Sequence, residues 1–528
     1  MRKQLLTIIA TGITALAMAG GVVTNANQSA SYVRMPAQDA TLAPHAAYYN
    51  PAGLAFIADG FYVSINNQYI AQTREVTSTF PGMNLTKFEG DVNAPLFPGF
   101  YMVFKKEKVA FSLGINPIGG GGSAKFDNGL PSFEQQVAVL PSSLTAAGIN
   151  TTAYEFNSQF EGNSLMWGLQ ANGSYAINDM ISFSVGIRYV IAQNIYTGYM
   201  KDIRINPLHP LNPAGAGQMT PAPEFFNILS TSATTAANGL NPLISGGGGT
   251  LTLNDAVSAS YLTPEQATQL AAGLGVADYT TYGATISQIQ TAYLTNAATM
   301  AAYSAMTADK ELDVEQNGFG LAPIIGINVK VNDRLNFGFR YEHRVSLNVK
   351  NKTKKDDAKL YPDGVKYPND MPTTLSLGAS YKATEKLGIS AGVHYYFDKT
   401  ADYGKIDSLD ANGFPTFYEN DEVIDNNFLE VALGFEYNLN DKILLSAGYL
   451  RTQTGVNIKF HSDLSHSLSS NTIGLGGRYA ISDNIGINLG FMRTLYINKT
   501  KPFDNPVPYT ETYKRVSNDI ALGVDLKF

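Results

Sequence analysis

Between Arg334 and Lys350 the chain places an apolar side chain at nearly every second position. Leu335, Phe337, Phe339, Tyr341, Val345, Leu347 and Val349 share one face, with His343 as the only break. Asn336, Gly338, Arg340, Glu342, Arg344, Ser346, Asn348 and Lys350 share the other. A period of two is the mark of a β-strand with one oily and one polar side. This run far exceeds the roughly five or six residues of a globular strand. It suits a tilted strand crossing a bilayer, which needs about nine to eleven residues plus extensions. The pattern recurs at Ile181, Phe183, Val185, Ile187, Tyr189 and Ile191, at Leu387 to Phe397, at Leu429 to Tyr437 and at Ile485 to Phe491. The interleaved residues are small or polar. A soluble sandwich is the alternative, but the strand length and aromatic ends favour lipid outside and a lumen inside.

Connections between these strands alternate in length. Lys105 to Lys108, Ile177 to Asp179, Val331 to Asp333, Ala383 to Glu385, Leu439 to Asp441 and Ile481 to Asp483 are short, and most carry Asn or Asp, which accept tight hairpin geometry. Long polar loops lie between them, as expected for short periplasmic turns and long external loops. The reading is an all-β fold, a transmembrane antiparallel β-barrel of about fourteen strands. They are placed near 60–73, 94–105, 108–118, 160–177, 180–203, 312–331, 334–351, 372–383, 386–400, 427–439, 442–456, 470–481, 484–498 and 518–528. The chain closes on Ile520, Leu522, Val524, Leu526 and a terminal Phe528, the usual end of barrels inserted into the outer membrane of Gram-negative bacteria.

The N-terminus changes the picture next. Arg2 and Lys3 precede an apolar stretch from Leu5 to Met18, with small-x-small patterns at Ala15 to Ala17 and Ala17 to Ala19. This reads as a signal peptide, 1–19, cleaved near Ala19, with an uncleaved anchor as the alternative. No cysteine sits there, so it is not a lipoprotein. No later apolar run approaches the roughly 18 residues of a spanning helix. A net charge of -7 argues against a nucleic-acid partner. With no cysteine, no metal-ligand spacing and no phosphate-cradling loop, neither a metal nor another cofactor is expected. An enzyme is not expected either. Of six histidines only His394 falls on a lumenal strand face. His461 and His466, beside Ser462, Asp463 and Ser465, read as a solvated external loop.

Two segments lie outside the wall pattern: 20–59 and 204–311. Thr263-Pro264-Glu265-Gln266 in the second reads as a capped helix start. A further helix is expected from about Thr285 to Met306 with Ile286, Ile289, Tyr293 and Met300 on one face, and a shorter one carrying Phe133, Val137 and Leu140. These apolar faces either pack on one another or form a hydrophobic groove at the cell surface. Arg188, Arg340, Arg344 and Arg478 fall on the inferred lumen face. Each is either a contact for an acidic head group or part of an Arg–Glu network, with Glu342, Glu430 and Glu436 as partners.

Ala46-Ala47-Tyr48-Tyr49-Asn50-Pro51-Ala52-Gly53-Leu54, just before the first strand, resembles the signature of the FadL family of outer-membrane long-chain fatty-acid transporters. Asn25 to Ala30 and Ala37 to Ala40 are also similar to its N-terminal segment. The resemblance implies that 20–59 folds into the lumen of the 60–528 barrel as a hatch, with Asn50, Pro51, Ala52 and Gly53 at its gating turn. It also implies a kinked third strand that leaves a lateral opening. Pro117, Gly119, Gly120, Gly121 and Gly122 have the chemistry for that kink, since proline cannot donate to a ladder and glycine runs bend. An ordinary strand end is the alternative. The expected function is passive transport of hydrophobic compounds, most of all long-chain fatty acids, by a monomer whose partners are its hydrophobic ligand and outer-membrane lipids. A receptor for haem or another hydrophobic ligand, and a general porin, are the rivals. The long 204–311 insert departs from the family's shorter loops and leaves the substrate open.

Overall fold

The structure is a computed structural model and describes residues 24–411 and 414–528. The expected signal peptide lies outside the described residues. Fourteen strands form the wall: β1 (Gly60–Ser78), β2 (Lys87–Lys106), β3 (Val109–Phe126), β4 (Tyr154–Ala176), β5 (Ile181–Ile205), β6 (Lys310–Asn332), β7 (Leu335–Glu342 and Asn348–Asp356), β8 (Thr374–Lys382), β9 (Leu387–Tyr396), β10 (Phe428–Asn438), β11 (Ile443–Gln453), β12 (Ser470–Ser482), β13 (Ile485–Tyr496) and β14 (Tyr509–Lys527). Each pairs antiparallel with its neighbours, and β1 pairs with both β2 and β14, so the sheet closes. Closure leaves no edge, the condition for β-structure in lipid.

The outward positions are apolar around the ring. Val185, Leu377, Leu445, Ile473, Leu489 and Leu522 are exposed. So continuous an oily surface would be a liability in water and is the required one in a bilayer. Outward tyrosines mark two levels: Tyr175, Tyr381, Tyr437 and Tyr479 near the short turns, and Tyr189, Tyr395 and Tyr449 farther along their strands. This is the aromatic girdle of a spanning barrel.

Two expectations about the strands need correction. β1, β2, β3 and β14 run farther outward than the hydrophobic pattern shows, because segments such as Lys87–Asp91 and Glu511–Arg515 are largely polar on both faces. The 334–351 run is not one strand. It breaks after Glu342; His343 and Arg344 are both exposed, and beyond them Val345, Leu347 and Val349 turn inward. Gly318 and Gly320 of β6 make room for them, since a Cβ at either would collide with the chain at 345–348. Arg344 is therefore not on the lumen wall. It stands at the external rim, its Nε 3.5 Å from Asp370 and its Nη1 donating to the Thr400 carbonyl at 2.5 Å.

Inside the ring lies residue 24 onward, with short helices α1 (Ala30–Arg34) and α2 (Ala46–Tyr49) and a 3-10 turn at Pro51–Phe56. This hatch runs along a track of inward glycines. A Cβ at Gly490 would press on Ala30, at Gly474 on Val33, at Gly434 on Met35, at Gly448 on Pro36, and at Gly338, Gly378 and Gly392 on Asp39. Together these glycines span the wall from β13 to β7.

Outside, α3 (Pro131–Ala146) buries Val137, Leu140 and Leu144 against Phe80, Tyr154, Met200 and Phe225. The 204–311 insert carries α4 (Ala222–Gly239), α5 (Pro264–Ala272) and α6 (Ile286–Thr307). Thr263 and Gln266 form the capping box of α5. Ile286, Ile289 and Tyr293 pack on Leu253, Ala267 and Ala271, a small core within the insert itself. The 454–469 loop behaves differently. Rather than being solvated it folds inward as a lid, burying His461, Asp463 and His466. Asp463 accepts from the Ser132 amide at the start of α3 (2.8 Å), Lys501 donates to the Lys459 and His461 carbonyls, and the His466 ring stacks on Tyr513.

Leu489→Arg, near mid-bilayer, should cost about 2–4 kcal/mol in reversible unfolding from lipid, whereas Tyr437→Arg at the girdle should cost about 0–1. Equal costs would refute the placement of the apolar band. Gly378→Val puts side-chain atoms where Asp39 and Ala40 now lie, as close as 2.5 Å even for a Cβ. It should displace the hatch, leave heat-resistant gel mobility intact and raise ion conductance in planar bilayers. The lid should respond to acid. Burial pushes His461 down to about 4, and burial with Arg515 and Arg74 nearby holds His466 well below its usual range. In an opened loop both return to about 6.5. Closure is thus fully favoured above pH 6.5 and weakens as pH falls toward 4. Buried Asp463, held above the usual carboxylate range, opposes this. Hydrogen exchange of 454–469, corrected for intrinsic rates, should rise on acidification, and His461→Gln with His466→Gln should flatten the response.

Candidate functional site

The floor of the lumen is a hydrogen-bonded seat for the hatch. Gln170 and Asn172 of β4 donate to the Ala47 carbonyl (2.9 and 3.0 Å), Ser174 to Pro51 (2.7 Å), Ser182 of β5 to Ala52 (2.7 Å) and Asn336 of β7 to Ala40 (2.9 Å). The Asn50 and Asn328 amides meet at 2.7 Å, and the Gly53 amide donates to the Asn50 carbonyl. A Cβ at Gly53 would strike Leu42. Asn50, Pro51, Ala52 and Gly53 are thus a turn pinned to β4, β5 and β6.

Arg188 and Arg340 lie in this floor, 2% and 5% exposed. Both flank the Tyr48 ring, at 4.7 and 5.0 Å from its centroid. Arg188 pairs with Glu342 and Arg340 stands 3.8 Å from the same carboxylate, while Arg340 also donates to the Tyr48 carbonyl. Their charge is spent on holding α2. Arg34 of α1 reaches Glu436 at 2.6 Å. Arg478 lines a separate cleft of about 440 Å³ on the periplasmic side of the hatch, with Arg34, Asp483 and Asp525. His394 bridges hatch to wall, with Nε2 2.6 Å from Asp39 and Nδ1 2.9 Å from Glu430. With both nitrogens engaged by carboxylates it has none left to activate a nucleophile.

The wall is interrupted at β3. Pairing with β2 holds through Phe100–Ile115, stops, and resumes at Val92–Ala124. On its other side β3 stays paired with β4, by bulges between Pro117 and Gly119 and between Gly120 and Gly122. Gly120 and Gly122 have φ of 85° and 78°, and a Cβ at Gly120 would overlap the Ser164 carbonyl, so only glycine fits there. Gly121 is the extra residue of the second bulge. Ile118 of the first bulge turns into the core. The hatch closes the interruption from inside: the Asn25 amide donates to Ile118 (2.7 Å), its side chain to Gly120 (2.5 Å), and Gln28 Nε2 to Pro117 (3.0 Å).

Above the hatch lies a cavity of about 250 Å³. Asn25 and Asn27 form its floor, Gly120, Gly122 and Phe97 the side toward the interrupted wall, and His466 and Leu468 of the lid its roof. Arg74 of β1 and Arg515 of β14, direct partners in the ladder, both line it. Sequence reasoning missed both, since they fall just outside the strands it drew. A smaller apolar cleft of about 80 Å³, between Phe133 of α3, Met200, Leu312 and Leu360, shares Phe160 and Leu464 with the cavity. An outer cleft, an inner cavity and the wall interruption thus form a chain of compartments.

The outer membrane protein beta-barrel domain family matches residues 355–528. No curated protein matches. Among solved structures the chain is similar to the toluene transporter TodX of P. putida, with a TM-score of 0.51 at 13% identity over 97% of this chain and 99% of that one. It is also similar to a Pseudomonas aeruginosa FadL homologue, with a TM-score of 0.56 at 12% identity over 97% of this chain and 100% of that one. At such identities the likeness is one of fold. The chain is a closed fourteen-stranded β-barrel of the outer membrane with the architecture of those two proteins.

Proposed function

We propose that this barrel is a passive, monomeric outer-membrane transporter of hydrophobic compounds, long-chain fatty acids foremost. Cargo is captured at the apolar cleft beside α3 and passes Phe160 and Leu464 into the lumenal cavity. It leaves sideways between β2 and β3. The observation that carries this reading is the meeting of cavity and wall interruption at Phe97, Gly120 and Gly122. The domain plan assumed is a leader at 1–19, a hatch at 20–59 and a barrel at 60–528. The hatch gates the route: Asn25 and Gln28 must release the β3 carbonyls, while Asn50 to Gly53 stay anchored as the pivot. Asn25 and Gln28 supply only three hydrogen bonds at that point, worth about 0.5–1.5 kcal/mol each net. That is within reach of cargo binding, since a sixteen-carbon tail gains roughly 10 kcal/mol gross on burial. Lateral exit into lipid retains this energy, and an aqueous exit forfeits it.

A general porin is disfavoured by a lumen filled with hatch. A second reading, neutral aromatic cargo, is favoured by the aromatic walls of the cavity: Phe126 and Phe160 line it, and Tyr196 and Tyr361 stack at 5.5 Å. TodX carries toluene by its name. Deleting the bulge residues Ile118 and Gly121 and replacing Pro117, Gly119, Gly120 and Gly122 with alternating Thr and Val should rebuild β3 as a regular strand in register with β4. The barrel should fold, and uptake of a labelled long-chain fatty acid should fall at least tenfold. Unchanged uptake in a folded variant would place the route elsewhere.

A further inference from the structure

On the lipid-facing side of β6 and β7 the residues change character at one level. Toward the cell exterior along β6, Ile325, Leu321 and Phe319 face the bilayer, and Phe319 is 70% exposed. Asn317, Glu315 and Asp313 follow on the same face. Beyond the face reversal in β7 the corresponding residues are Ser346, Asn348, Lys350, Lys352 and Lys354. The ladder sets Lys350 opposite Asn317 and Lys352 opposite Glu315. Lys352 lies 4.0 Å from Glu315, and Lys354 lies 3.2 Å from Asp313. Lys350 meets only the neutral Asn317, whose amide donates to Glu315 at 2.8 Å. On its other side Lys350 stands directly opposite Lys366 of the short strand Lys366–Pro368. Both lysines are exposed, and neither joins an ion pair among the described residues. Like charges directly opposite one another in a ladder repel.

The same register fixes their height. Phe319 meets Tyr189 of the outer girdle, with ring centroids 6.1 Å apart. Lys350 lies level with Asn317, two residues farther out, which is about 7 Å along the strand. At this level the apolar wall gives way to lipid head groups. We propose that Lys350 and Lys366 clamp the phosphorylated head group of an outer-leaflet glycolipid, whose acyl chains lie on Phe319, Leu321 and Ile325. A phosphate between the two ammonium groups replaces their repulsion with charge-assisted hydrogen bonds. The apolar face directly below them is what selects a lipid over a free anion. The clamp also bears on the barrel's external compartments. Between the two lysines the chain folds back as a hairpin, in which the Gly364 amide donates to Asn351 at 3.0 Å and the Asn351 amide to Val365 at 2.9 Å. That hairpin supplies Leu360 to the outer cleft and Tyr361 to the cavity. A head group joining both arms at the base holds these two walls in place.

The test uses the full barrel in detergent with three probes: a bisphosphorylated, acylated glucosamine disaccharide, its dephosphorylated counterpart, and inorganic phosphate. Bound complexes are counted by native mass spectrometry. Wild type should hold the phosphorylated lipid about tenfold more tightly than the dephosphorylated one. Lys350→Gln with Lys366→Gln should bring that ratio near one and leave the dephosphorylated lipid unchanged. Lys350→Arg with Lys366→Arg should keep the ratio. So should Lys125→Gln, at an exposed lysine that pairs with Asp127 elsewhere on the rim. Heat-resistant gel mobility reports folding of each variant. In nanodiscs the phosphorylated lipid should lower hydrogen exchange across 351–365 in wild type and not in the double glutamine variant. A ratio near one in wild type, or one untouched by the two glutamines, overturns the clamp. An equal loss with Lys125→Gln reduces it to diffuse surface charge and overturns it as well. Displacement of the lipid by an equal concentration of inorganic phosphate overturns the lipid as occupant. Tight binding with unchanged exchange overturns the link to the hairpin. Should the double variant fail to fold, Lys366→Gln alone decides, and an unchanged ratio there overturns the clamp. None of these readouts involves cargo, so the transport reading stands or falls separately.

Discussion

A ring of fourteen strands encloses more space than its inward side chains can fill, and this protein fills the excess with backbone. That choice governs the rest. Hatch helices of four or five residues satisfy almost none of their own carbonyls, so the wall must supply donors. Gln170, Asn172, Ser174, Ser182, Asn336 and Arg340 do so, each from an inward position of a strand. Where the hatch lies flat against the wall no side chain fits at all, and the inward residue is glycine. A wall face made of glycine and short polar groups is therefore a mould of the segment it holds.

The same constraint explains the contrast between floor and roof. Glu342 serves two guanidiniums, and those two grip Tyr48. Removing Glu342 would leave two uncompensated cations in a water-poor site, which is far worse than never having buried them. Such a network fixes position and offers nothing to a ligand. At the roof Arg74 and Arg515 remain open to the cavity, and the nearby acids are turned to other partners. The two sets share the same strand face and differ in the carboxylates around them.

This is also why the sequence located the fold better than the site. Period two and the short Asn and Asp turns were enough for strand number, hairpin positions and inside-out orientation. The capping box at Thr263 and the helical faces of the insert were legible because they are local. Three things were not. Strand extensions above the bilayer carry polar residues on both sides, so the period vanishes at Arg74 and Arg515. The face reversal after Glu342 depends on Gly318 and Gly320, some twenty residues earlier in the chain, and it carried Arg344 out of the wall. The inward lid places His461 and His466 in a buried setting that a polar, loop-like stretch does not advertise. Each failure is a tertiary contact overriding a local pattern.

The interruption at β3 faces the same accounting as the hatch, since unpaired strand backbone beside lipid is costly. The chain meets this locally. Pro95 and Pro98 of β2 and Pro117 of β3 carry no amide hydrogen, so three donors are simply missing where a ladder partner is missing. Asn67 of β1 reaches across to serve two more groups, donating to the Pro95 carbonyl and accepting from the Phe97 amide, both at 3.1 Å. On the far side the bulges let β3 stay registered with β4 while it parts from β2, so the wall keeps its strength along one edge of the break. The remaining carbonyls at Pro117, Ile118 and Gly120 are the ones the hatch covers. A strand that merely ended there would need none of these provisions. A regular wall strand would need none of them, and the carbonyls of Pro117, Ile118 and Gly120 find their donors on the hatch.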